Sequence, residues 1–567
     1  MGGIAIFAAL FFGLVLLVDF SWIRTTVTIP SIESHSLSVG TAILLGAALL
    51  FVIGVIDDSR GIKPQTKLIG QIVAATFVTF LGYRLHWFES LTLDTLATLF
   101  WIVGITNAFN LIDNMDGLCG GVGLVAAVSL AVLFWPAAPE ALGAALILAG
   151  ACAGFLVYNF KPAKIFMGDC GSLVLGFSIG VLALYYSETN PENHLATIAV
   201  PVLVLMVPIL DTSLVTIIRV LSGRKASTGG RDHTSHRLVL IGFSETRAVL
   251  LLYGAGAISG LAAVFVSRSD SLTSPVVIIP VILFIVLMGV YLSQLRVYPQ
   301  KEFSLLRDHG VARIVADVTY KKQIVLILLD MIIVAFSYYM AYRLRFDDAD
   351  FSRYFPVFLK SFPAIIGCKL MIFYALGIYK GFWIYISTSD VFAYVRASLG
   401  ATLLAVAAVT FAYRFDDFSK GIFLIDWVLT TGLLLGTRGS FRLFVETHKR
   451  RTLTGSKVVI YGAGRGGELL LREILNNKQL GVRPIGFVDD DPLKKGKKIQ
   501  GYSIIGAFDD IGTVHAAKRL EGILISFNDD HEDHAAAHAG ARNFCRREGI
   551  FLRRFKVNLD EIDTQPT

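Results

Sequence analysis

The sequence predicts a polytopic α-helical membrane protein with a soluble α/β domain at its C-terminal end. The 567 residues are 54% hydrophobic, and the mean hydropathy is +0.64. The apolar residues form long continuous runs, and a membrane span needs only about 20 of them. Because only helices and closed barrels satisfy every backbone polar group in lipid, continuous runs predict helices rather than alternating barrel strands. From Lys457 onward the chain is polar, with short apolar strands between helical stretches, which predicts the α/β domain.

About 14 transmembrane helices can be placed along the chain by hydrophobic pattern. Ten lie in the first half, at 4–20, 39–56, 68–84, 91–108, 122–135, 140–158, 172–186, 196–221, 246–267 and 274–294. Four more follow a polar linker, at 324–344, 355–376, 391–413 and 421–436. These positions predict four domains: a polytopic domain over 1–295, the linker over 296–322, a four-helix membrane domain over 323–437, and the α/β domain over 453–567.

The net charge of +7 and the pI of about 9.0 indicate basic loops on one side of a membrane rather than a nucleic-acid partner. When the spans alternate across the bilayer, one set of connections and the C-terminal domain carry most of the Lys and Arg residues, and we expect this set in the cytoplasm of a bacterium, beneath its inner membrane. The five cysteines show neither a metal-binding spacing nor a disulfide framework.

Four polar segments of the first half fall on the same, predicted cytoplasmic side. Their sequences are GVIDDSRGIKPQTK, NAFNLIDNMDGL, KPAKIFMGDCGS and GGRDHTSHRL. Carboxylates and amides at a membrane edge are costly unless something uses them, so we expect the segments to converge on one cleft. Their oxygen atoms suit Mg²⁺, which binds one or two protein carboxylates together with substrate phosphates. The basic residues between Arg224 and Arg237 suit the charge of a diphosphate.

Each segment taken alone also has a purely structural explanation. Asp57 and Asp58 could form a solvated turn, and the DNMDG sequence could simply end a helix at Asp113 and Asp116. Asp169 could cap the span that follows it, and the histidine segment could be a solvated loop. The occurrence of all four segments on one side favours a functional site.

In this order, the four segments resemble the motifs of the polyprenyl-phosphate N-acetylhexosamine-1-phosphate transferases, over roughly residues 1–300. The resemblance implies transfer of a phospho-N-acetylhexosamine from a UDP-sugar to undecaprenyl phosphate, with release of UMP. It implies Mg²⁺, with Mn²⁺ as an alternative ion, on Asn110 and Asp169, with Asp113 as a further candidate ligand. It also implies that Asp57 and Asp58 serve the polyprenyl phosphate, either being a candidate base. The other site residues it implies are Asp113 and Asp116 for catalysis, and Lys67, Asn107, Arg231, His233, His236 and Arg237 for substrate binding.

Two features depart from the pattern of this family. Ser235 stands within the HTSH sequence where the family often has a histidine. The family usually has one more span before the equivalent of the first residues here, so we expect a first helix to be missing. The histidine segment favours the branch that starts O-antigen, enterobacterial common antigen, teichoic acid or capsule polymers over the peptidoglycan branch. The alternatives are a degenerate transferase that serves as a membrane scaffold, and a sugar-nucleotide-modifying protein.

The C-terminal domain begins with a nucleotide-binding pattern. The sequence KVVIYGAGRGGELLLREIL predicts a strand, a Gly-x-Gly-x-x-Gly turn at Gly462, Gly464 and Gly467, and a helix. The next strand, PIGFVDDD, reaches Asp489, where a Rossmann-like fold places the acid that binds a ribose. This pattern predicts a dinucleotide or nucleotide site, and a Rossmann-like domain that binds nothing is the alternative.

The last four spans and this domain resemble the N-terminal half of the membrane-bound nucleoside-diphosphate-sugar dehydratases and epimerases. The chain shows no second Gly-rich turn and no convincing Tyr-x-x-x-Lys sequence, so we expect no dehydratase activity. For the whole chain we expect undecaprenyl phosphate, a UDP-N-acetylhexosamine and the lipid bilayer as partners, without nucleic acid, and a homodimer stays open.

Overall fold

A computed structural model describes residues 2–25, 37–88, 90–189, 193–221, 230, 232–293, 318–380, 388–415, 418–451, 453, 455–527 and 532–556. The chain divides into two compact units, Met1–Arg442 and Leu443–Thr567. The first unit is helical, and the second is built on a β-sheet.

Local sequence explains where several helices of the first unit begin. The described helices are α1 (Gly2–Thr25), α2 (Val39–Arg60), α3 (Pro64–Phe80), α4 (Leu91–Ile112), α5 (Leu118–Phe134), α6 (Pro139–Asn159), α7 (Gly168–Thr189), α8 (His194–Val204), α9 (Met206–Leu221), α10 (Thr234–Leu240), α11 (Glu245–Arg268), α12 (Pro275–Ser293), α13 (Val318–Arg345), α14 (Asp348–Ala375), α15 (Thr388–Tyr413) and α16 (Lys420–Arg451). The side chains of Ser38, Asn193 and Ser244 accept N–H groups in the first turns of α2, α8 and α11. Pro64 and Pro139 open α3 and α6, where a missing N–H has no cost.

The helices confirm a polytopic membrane protein. Ten of the described helices are long and apolar enough to cross a membrane, or eleven if the bent pair α8 and α9 is one span. The predicted spans at α1, α3 and α5 are also helical, but their described apolar segments are no longer than 17 residues. The fold class, with its C-terminal α/β domain, is as the sequence predicts.

The single helix predicted over 196–221 is broken in the structure. Helices α8 and α9 meet at Leu205 with a bend of 75°. Pro208 explains the break, because it has no N–H to donate to the carbonyl of Val204 and its ring clashes with that carbonyl. Helix α9, in a new direction, then carries Asp211 and Arg219.

Helix α7 lies at the centre of the first twelve helices. In its most apolar stretch of 18 residues, 94% of the residues are buried, and α2 and α4 pack along it. Glycines permit this close packing. A Cβ atom on Gly54 of α2 would lie 2.3 Å from the Cα atom of Cys170, and one on Gly176 would lie 2.9 Å from the Cα atom of Thr106 on α4. The N-terminal end of α7 is thereby held against α2.

Two buried ion pairs join α16 to α13 and to α14. Arg438 lies 2.5 Å from Asp330, Lys369 lies 2.6 Å from Asp426, and no side chain of the four is more than 1% exposed. Lys369 Nζ also donates to the hydroxyl of Thr430 at 2.8 Å. Because an unpaired charge in lipid is costly, the pairs specify which helix faces meet.

The described residues of the second unit form a six-stranded sheet with the order β3-β4-β2-β1-β5-β6. Its elements are β1 (Ser456–Tyr461), α17 (Arg465–Asn476), β2 (Val482–Val488), β3 (Lys498–Ile499), β4 (Tyr502–Gly506), α18 (Ile511–Lys518), β5 (Gly522–Ile525), α19 (Glu532–Glu548) and β6 (Phe551–Arg554). All neighbouring strands are parallel except β3 and β4. Without the edge strand β3, this is the order of a Rossmann sheet, in which the turn after β1 lies beside the end of β2.

Candidate active site

The polar segments meet at one end of the core formed by α2, α4 and α7. The C-terminal ends of α2 and α4 carry Asp57, Asp58 and Asn110, and the N-terminal end of α7 carries Asp169. The first turn of α3 adds Lys67. The hydrogen bonds and ion pairs described below show that these five side chains form one cluster.

Asp58 holds the start of α7 in place. Its Oδ1 accepts the N–H of Asp169 at 2.8 Å, and its Oδ2 accepts the N–H of Cys170 at 3.1 Å. A carboxylate in this position satisfies the unpaired N–H groups of the first turn and complements the helix dipole. Gly168 leads into the helix with a φ of +68°, and a Cβ atom there would lie 2.6 Å from Asp58 Oδ2. Asp58 therefore determines the position from which the side chain of Asp169 extends.

The ammonium group of Lys67 lies between two carboxylates. Its Nζ is 2.9 Å from Asp57 Oδ2, and it also pairs with Asp169 Oδ2. The Oδ1 atom of Asn110 lies 3.5 Å from the same Nζ. The second oxygen of Asp57 accepts the N–H of Ile62 at 2.8 Å. Three helices, α2, α4 and α7, thus each turn an oxygen atom toward one cation.

Helix α7 orients the side chain of Asn110. The Nδ2 of Asn110 donates to Asp169 Oδ1 at 2.8 Å and to Ser172 Oγ at 2.9 Å. Because the amide nitrogen is committed to α7, the amide oxygen is directed at Lys67.

A reciprocal amide pair connects α3 with α4. Asn107 Nδ2 donates to Gln71 Oε1 at 2.6 Å, and Gln71 Nε2 donates to Asn107 Oδ1 at 3.2 Å. Gln71 is 1% exposed and lies one helical turn after Lys67. The pair therefore determines the rotation of α3 that points Lys67 into the cluster.

The donor set of this cluster fits a magnesium ion. Asp57 and Asp169 present carboxylate oxygens and Asn110 presents an amide oxygen, the hard ligands that Mg²⁺ prefers. Within the described ranges, no group of three or more His, Cys, Asp or Glu side chains is arranged to hold a metal. An ion here would therefore depend on one or two carboxylates and on substrate phosphate oxygens, which is usual for Mg²⁺. The ligand roles of Asn110 and Asp169 stay predictions.

Asp113 and Asp116 follow α4 but have different surroundings. Asp113 is half-buried at the end of the helix. Burial raises its pKa to about 7, and the negative charges of Asp169 and Asp58 add to the shift. The Oδ2 of Asp116 instead accepts the N–H of Ala163 at 3.1 Å, which ties this loop to the loop before α7. The catalytic role predicted for each stays a prediction.

Buried carboxylates hold the histidine segment. His233 Nδ1 lies 2.8 Å from Asp211 Oδ2, and the N–H of Thr234 donates to Asp211 Oδ1 at 2.6 Å. A carboxylate oxygen in this position accepts a hydrogen bond from Nδ1–H and so orients the imidazole. Arg219 makes a two-point contact with Asp232, at 2.8 Å from Nε and 2.6 Å from a terminal nitrogen.

Ser235 joins the histidine segment to the acidic loop, because its hydroxyl donates to Asn114 Oδ1 at 2.7 Å. His236 is half-buried on α10. Arg237 lies in the interior, 2% exposed, where its guanidinium donates to backbone carbonyls at 2.7 and 2.8 Å. Arg231 and the basic residues at 224 and 225 lie outside the described residues. All four polar segments are thus linked by direct contacts among the residues that the structure describes.

The structure adds three residues to which the sequence assigned no role: Gln71 and Asp211 lie outside the four segments, and Ser172 lies inside the third. Gln71 and Asp211 are polar residues within apolar helices, and this costly placement is a signal that could have identified them. Ser172 gives no such signal, because a serine in the first turn of a helix is common.

In the second unit, the turn between β1 and α17 leaves one open glycine. Gly462 has a φ of +99°, and a Cβ atom on Gly467 would lie 2.0 Å from the carbonyl oxygen of Gly462. These two positions require glycine because of backbone conformation and close packing. No described atom lies within 4 Å of a Cβ atom placed on Gly464, so a ligand can approach the backbone there.

Asp489, at the end of β2, is surrounded by donors. It accepts the N–H of Ala463 at 2.7 Å and the N–H of Asp491 at 3.0 Å, and Lys494 Nζ lies 3.0 Å from both of its oxygens. Burial opposes its charge, but these hydrogen bonds outweigh burial and hold its pKa below the usual value.

Comparison with known proteins identifies the family of the first unit. The family model described as "Glycosyl transferase family 4" matches residues 40–187, which include the cluster. A probable undecaprenyl-phosphate N-acetylglucosaminyl 1-phosphate transferase of Bacillus subtilis is 36% identical over 257 residues, which is 43% of this chain and 70% of that protein. The chain belongs to glycosyl transferase family 4.

Two further relatives are similar over a comparable length of this chain. The decaprenyl-phosphate N-acetylglucosaminephosphotransferase of Mycolicibacterium smegmatis is 35% identical over 245 residues, 37% of this chain and 59% of that protein. The phospho-N-acetylmuramoyl-pentapeptide-transferase of Desulforudis audaxviator is 33% identical over 253 residues, 39% of this chain and 73% of that protein. The chain therefore spans less than two thirds of the mycobacterial relative.

The family 4 region is followed by a second match. The description "CoA-binding domain" matches residues 374–535, from the end of α14 into the sheet of the second unit. The fusion predicted from the sequence is therefore confirmed. A solved structure of RSP in complex with beta-NADH is 15% identical and covers 32% of this chain and 85% of that chain, with a TM-score of 0.15. A score this low does not establish a shared fold.

Proposed function

We propose that this chain transfers N-acetylhexosamine-1-phosphate from a UDP-sugar to undecaprenyl phosphate, releases UMP, and so starts the synthesis of a cell-surface polysaccharide. The observation that carries the proposal is the cluster of Asp57, Lys67, Asn110 and Asp169 at the ends of membrane helices. Such a site can reach a lipid phosphate and a soluble nucleotide sugar together. The relatives from Bacillus subtilis and Mycolicibacterium smegmatis, which are polyprenyl-phosphate N-acetylglucosamine phosphotransferases by name, support the same reaction.

The chemistry requires positioning and charge neutralisation more than covalent catalysis. An oxygen of the lipid phosphate attacks the β-phosphorus of the UDP-sugar, and the bond from that phosphorus to the bridging oxygen breaks, so that UMP leaves. Mg²⁺ held by Asn110 and Asp169 would supply neutralisation of the charge on the phosphoryl oxygens. Lys67 adds a second positive charge on the same side.

The two neighbouring aspartates can take different roles in this reaction. Both oxygens of Asp58 already accept N–H groups of α7, which suits a positioning role. Asp57 turns one oxygen to Lys67 and is therefore the better candidate to contact the lipid phosphate and to take any proton from it. His233, oriented by Asp211, would face the nucleotide end.

The orientation of the protein follows from the charges of the loops. The described connections beside the cluster contain the basic residues Arg60, Lys63, Lys161 and Lys164, which favours the cytoplasm, where UDP-sugars are made available to a bacterial inner-membrane enzyme.

A membrane assay tests the proposal. Membranes with the expressed chain receive undecaprenyl phosphate, Mg²⁺ and a panel of UDP-N-acetyl sugars, and UMP release is followed. We expect release that depends on both lipid and Mg²⁺ and is lost in Asp169→Asn. Asp350→Asn is the matched control, because it makes the same carboxylate-to-amide change at an exposed position. If the folded wild-type chain released no UMP with any sugar of the panel, the membrane-scaffold alternative would be favoured.

We further propose that the second unit binds a nucleotide whose ribose carries an additional phosphate on its 2′ or 3′ oxygen. The acid expected to bind ribose hydroxyls, Asp489, is occupied by two backbone N–H groups and by Lys494. The ammonium group at this position, with exposed Lys497 and Lys498 close by in sequence, suits a phosphate better than a free hydroxyl. The CoA-binding description of residues 374–535 is consistent with such a ligand.

Calorimetry on the full chain tests this second proposal with two matched pairs, CoA against dephospho-CoA and NADP against NAD. We expect the phosphorylated member of at least one pair to bind about tenfold more tightly, and Lys494→Gln to remove the difference. Lys495→Gln is the control, because Lys495 pairs with Asp510 instead of Asp489. Equal affinities within both pairs, or no binding of any of the four compounds, would contradict it.

A further inference from the structure

We infer that Lys67 is an internal counter-ion of the catalytic cluster, which a divalent cation displaces and which then binds a substrate phosphate. The metal-binding part of this inference stands on the geometry alone, and the part concerning phosphate rests on the proposed function.

The ammonium group uses the same oxygen atoms that fit the metal. Lys67 Nζ lies 2.9 Å from Asp57 Oδ2, pairs with Asp169 Oδ2, and lies 3.5 Å from Asn110 Oδ1. A magnesium ion on Asn110 and Asp169 would use oxygen atoms that the ammonium group now contacts, so it would compete with the ammonium for the same space. Two cations so close would repel each other strongly, so the cluster holds one or the other.

The side chain of Lys67 can leave without movement of its helix. Its side chain is still 16% exposed, and its four-carbon stem is flexible. The backbone of α3, by contrast, is held by the buried amide pair between Gln71 and Asn107 one turn later. Metal binding would therefore rotate the lysine side chain and leave α3 in place.

The displaced ammonium needs a new anionic partner, and an incoming phosphate provides it. The lysine remains within a few ångströms of the cluster, where it contacts a phosphate as a point charge. Metal and phosphate then favour each other, since each removes a cost of binding the other. In the absence of substrate, the lysine weakens metal binding, and this effect can be measured without any turnover.

The experiment titrates Mn²⁺ into the purified full chain without substrates and follows free Mn²⁺ by electron paramagnetic resonance. We expect Lys67→Gln to bind at least about tenfold more tightly than the wild type, because a competing positive charge is removed from two carboxylates. Lys67→Met gives the same comparison if the first variant does not fold. Lys67→Arg keeps the charge, so its affinity should stay near that of the wild type.

Two further variants place the effect at the cluster. Lys63→Gln removes a charge from the exposed residue that precedes α3, so its Mn²⁺ affinity should equal that of the wild type. Adding Asp169→Asn to Lys67→Gln should abolish the gain, because the ion loses a ligand.

The outcomes separate this inference from the proposed function. Equal Mn²⁺ affinity of Lys67→Gln and Lys63→Gln overturns the counter-ion role, even if the wild type is an active transferase. Tighter Mn²⁺ binding by Lys67→Gln, in a chain with no transferase activity, supports the counter-ion role while the proposed function fails.

Discussion

The start of α7 offers a direct test of how Asp169 is positioned. Gly168 has a φ of +68°, and a Cβ atom there would lie 2.6 Å from Asp58 Oδ2. In Gly168→Ala, the left-handed backbone costs about 1–2 kcal/mol. The carboxylate of Asp58 must also move, and loss of its contacts to the helix N-terminus costs about 0.5–2 kcal/mol. We expect the first turn of α7 to shift and to carry Asp169 with it.

Gly61→Ala is the matched control for this variant. Gly61 has a φ of +67°, and none of the described atoms lies within 4 Å of a Cβ atom placed there. It therefore shares the positive φ but not the steric contact. The contact with Asp58, present only at Gly168, should add about 0.5–2 kcal/mol to the loss in free energy of unfolding.

The assay measures the rate of UMP release together with thermal unfolding in detergent. We expect Gly61→Ala to keep a rate within about twofold of the wild type, since surface changes are usually mild. For Gly168→Ala we expect a fall of about 100-fold, because a displacement of about 1 Å at a catalytic group can cost that much. Equal rates in two folded variants would refute the positioning role of Asp58.

Three further predictions concern other contacts. Gln71→Leu should lower the free energy of unfolding by about 1–2 kcal/mol, since it removes the donor to Asn107 Oδ1. It should also reduce turnover, and unchanged turnover in a folded variant would contradict the role of this pair. Ser235→Ala and Asn114→Ala should each reduce turnover, and the double variant should be no less active than the less active single variant. Additive losses of activity would show that their hydrogen bond does not couple the two loops. In Gly467→Ala the added methyl group would meet the carbonyl oxygen of Gly462, so the second unit should become sensitive to limited proteolysis, whereas Gly464→Ala should not have this effect. Equal resistance of the two variants to the protease would contradict this packing.

Hydropathy located the membrane helices because long apolar runs are stable as helices in lipid. It did not show the break at Leu205, because Pro208 within an apolar run hardly changes its hydropathy. The glycine pattern at Gly462 likewise predicted a Rossmann-like turn, because a turn that tight is a local requirement. It did not show that Asp489 is already occupied by Lys494, since this contact depends on the path of the chain after β2.

For the candidate site, the sequence by itself determined the family and the kind of chemistry, because the residue types and the order of the motifs are visible in the sequence. The tertiary structure decided which partner each residue has. Asp57 and Asp58 are equivalent in the sequence, yet one faces Lys67 and the other caps α7. The reason is helical geometry: with 3.6 residues per turn, consecutive side chains point about 100° apart, so neighbours in the chain meet different neighbours in space.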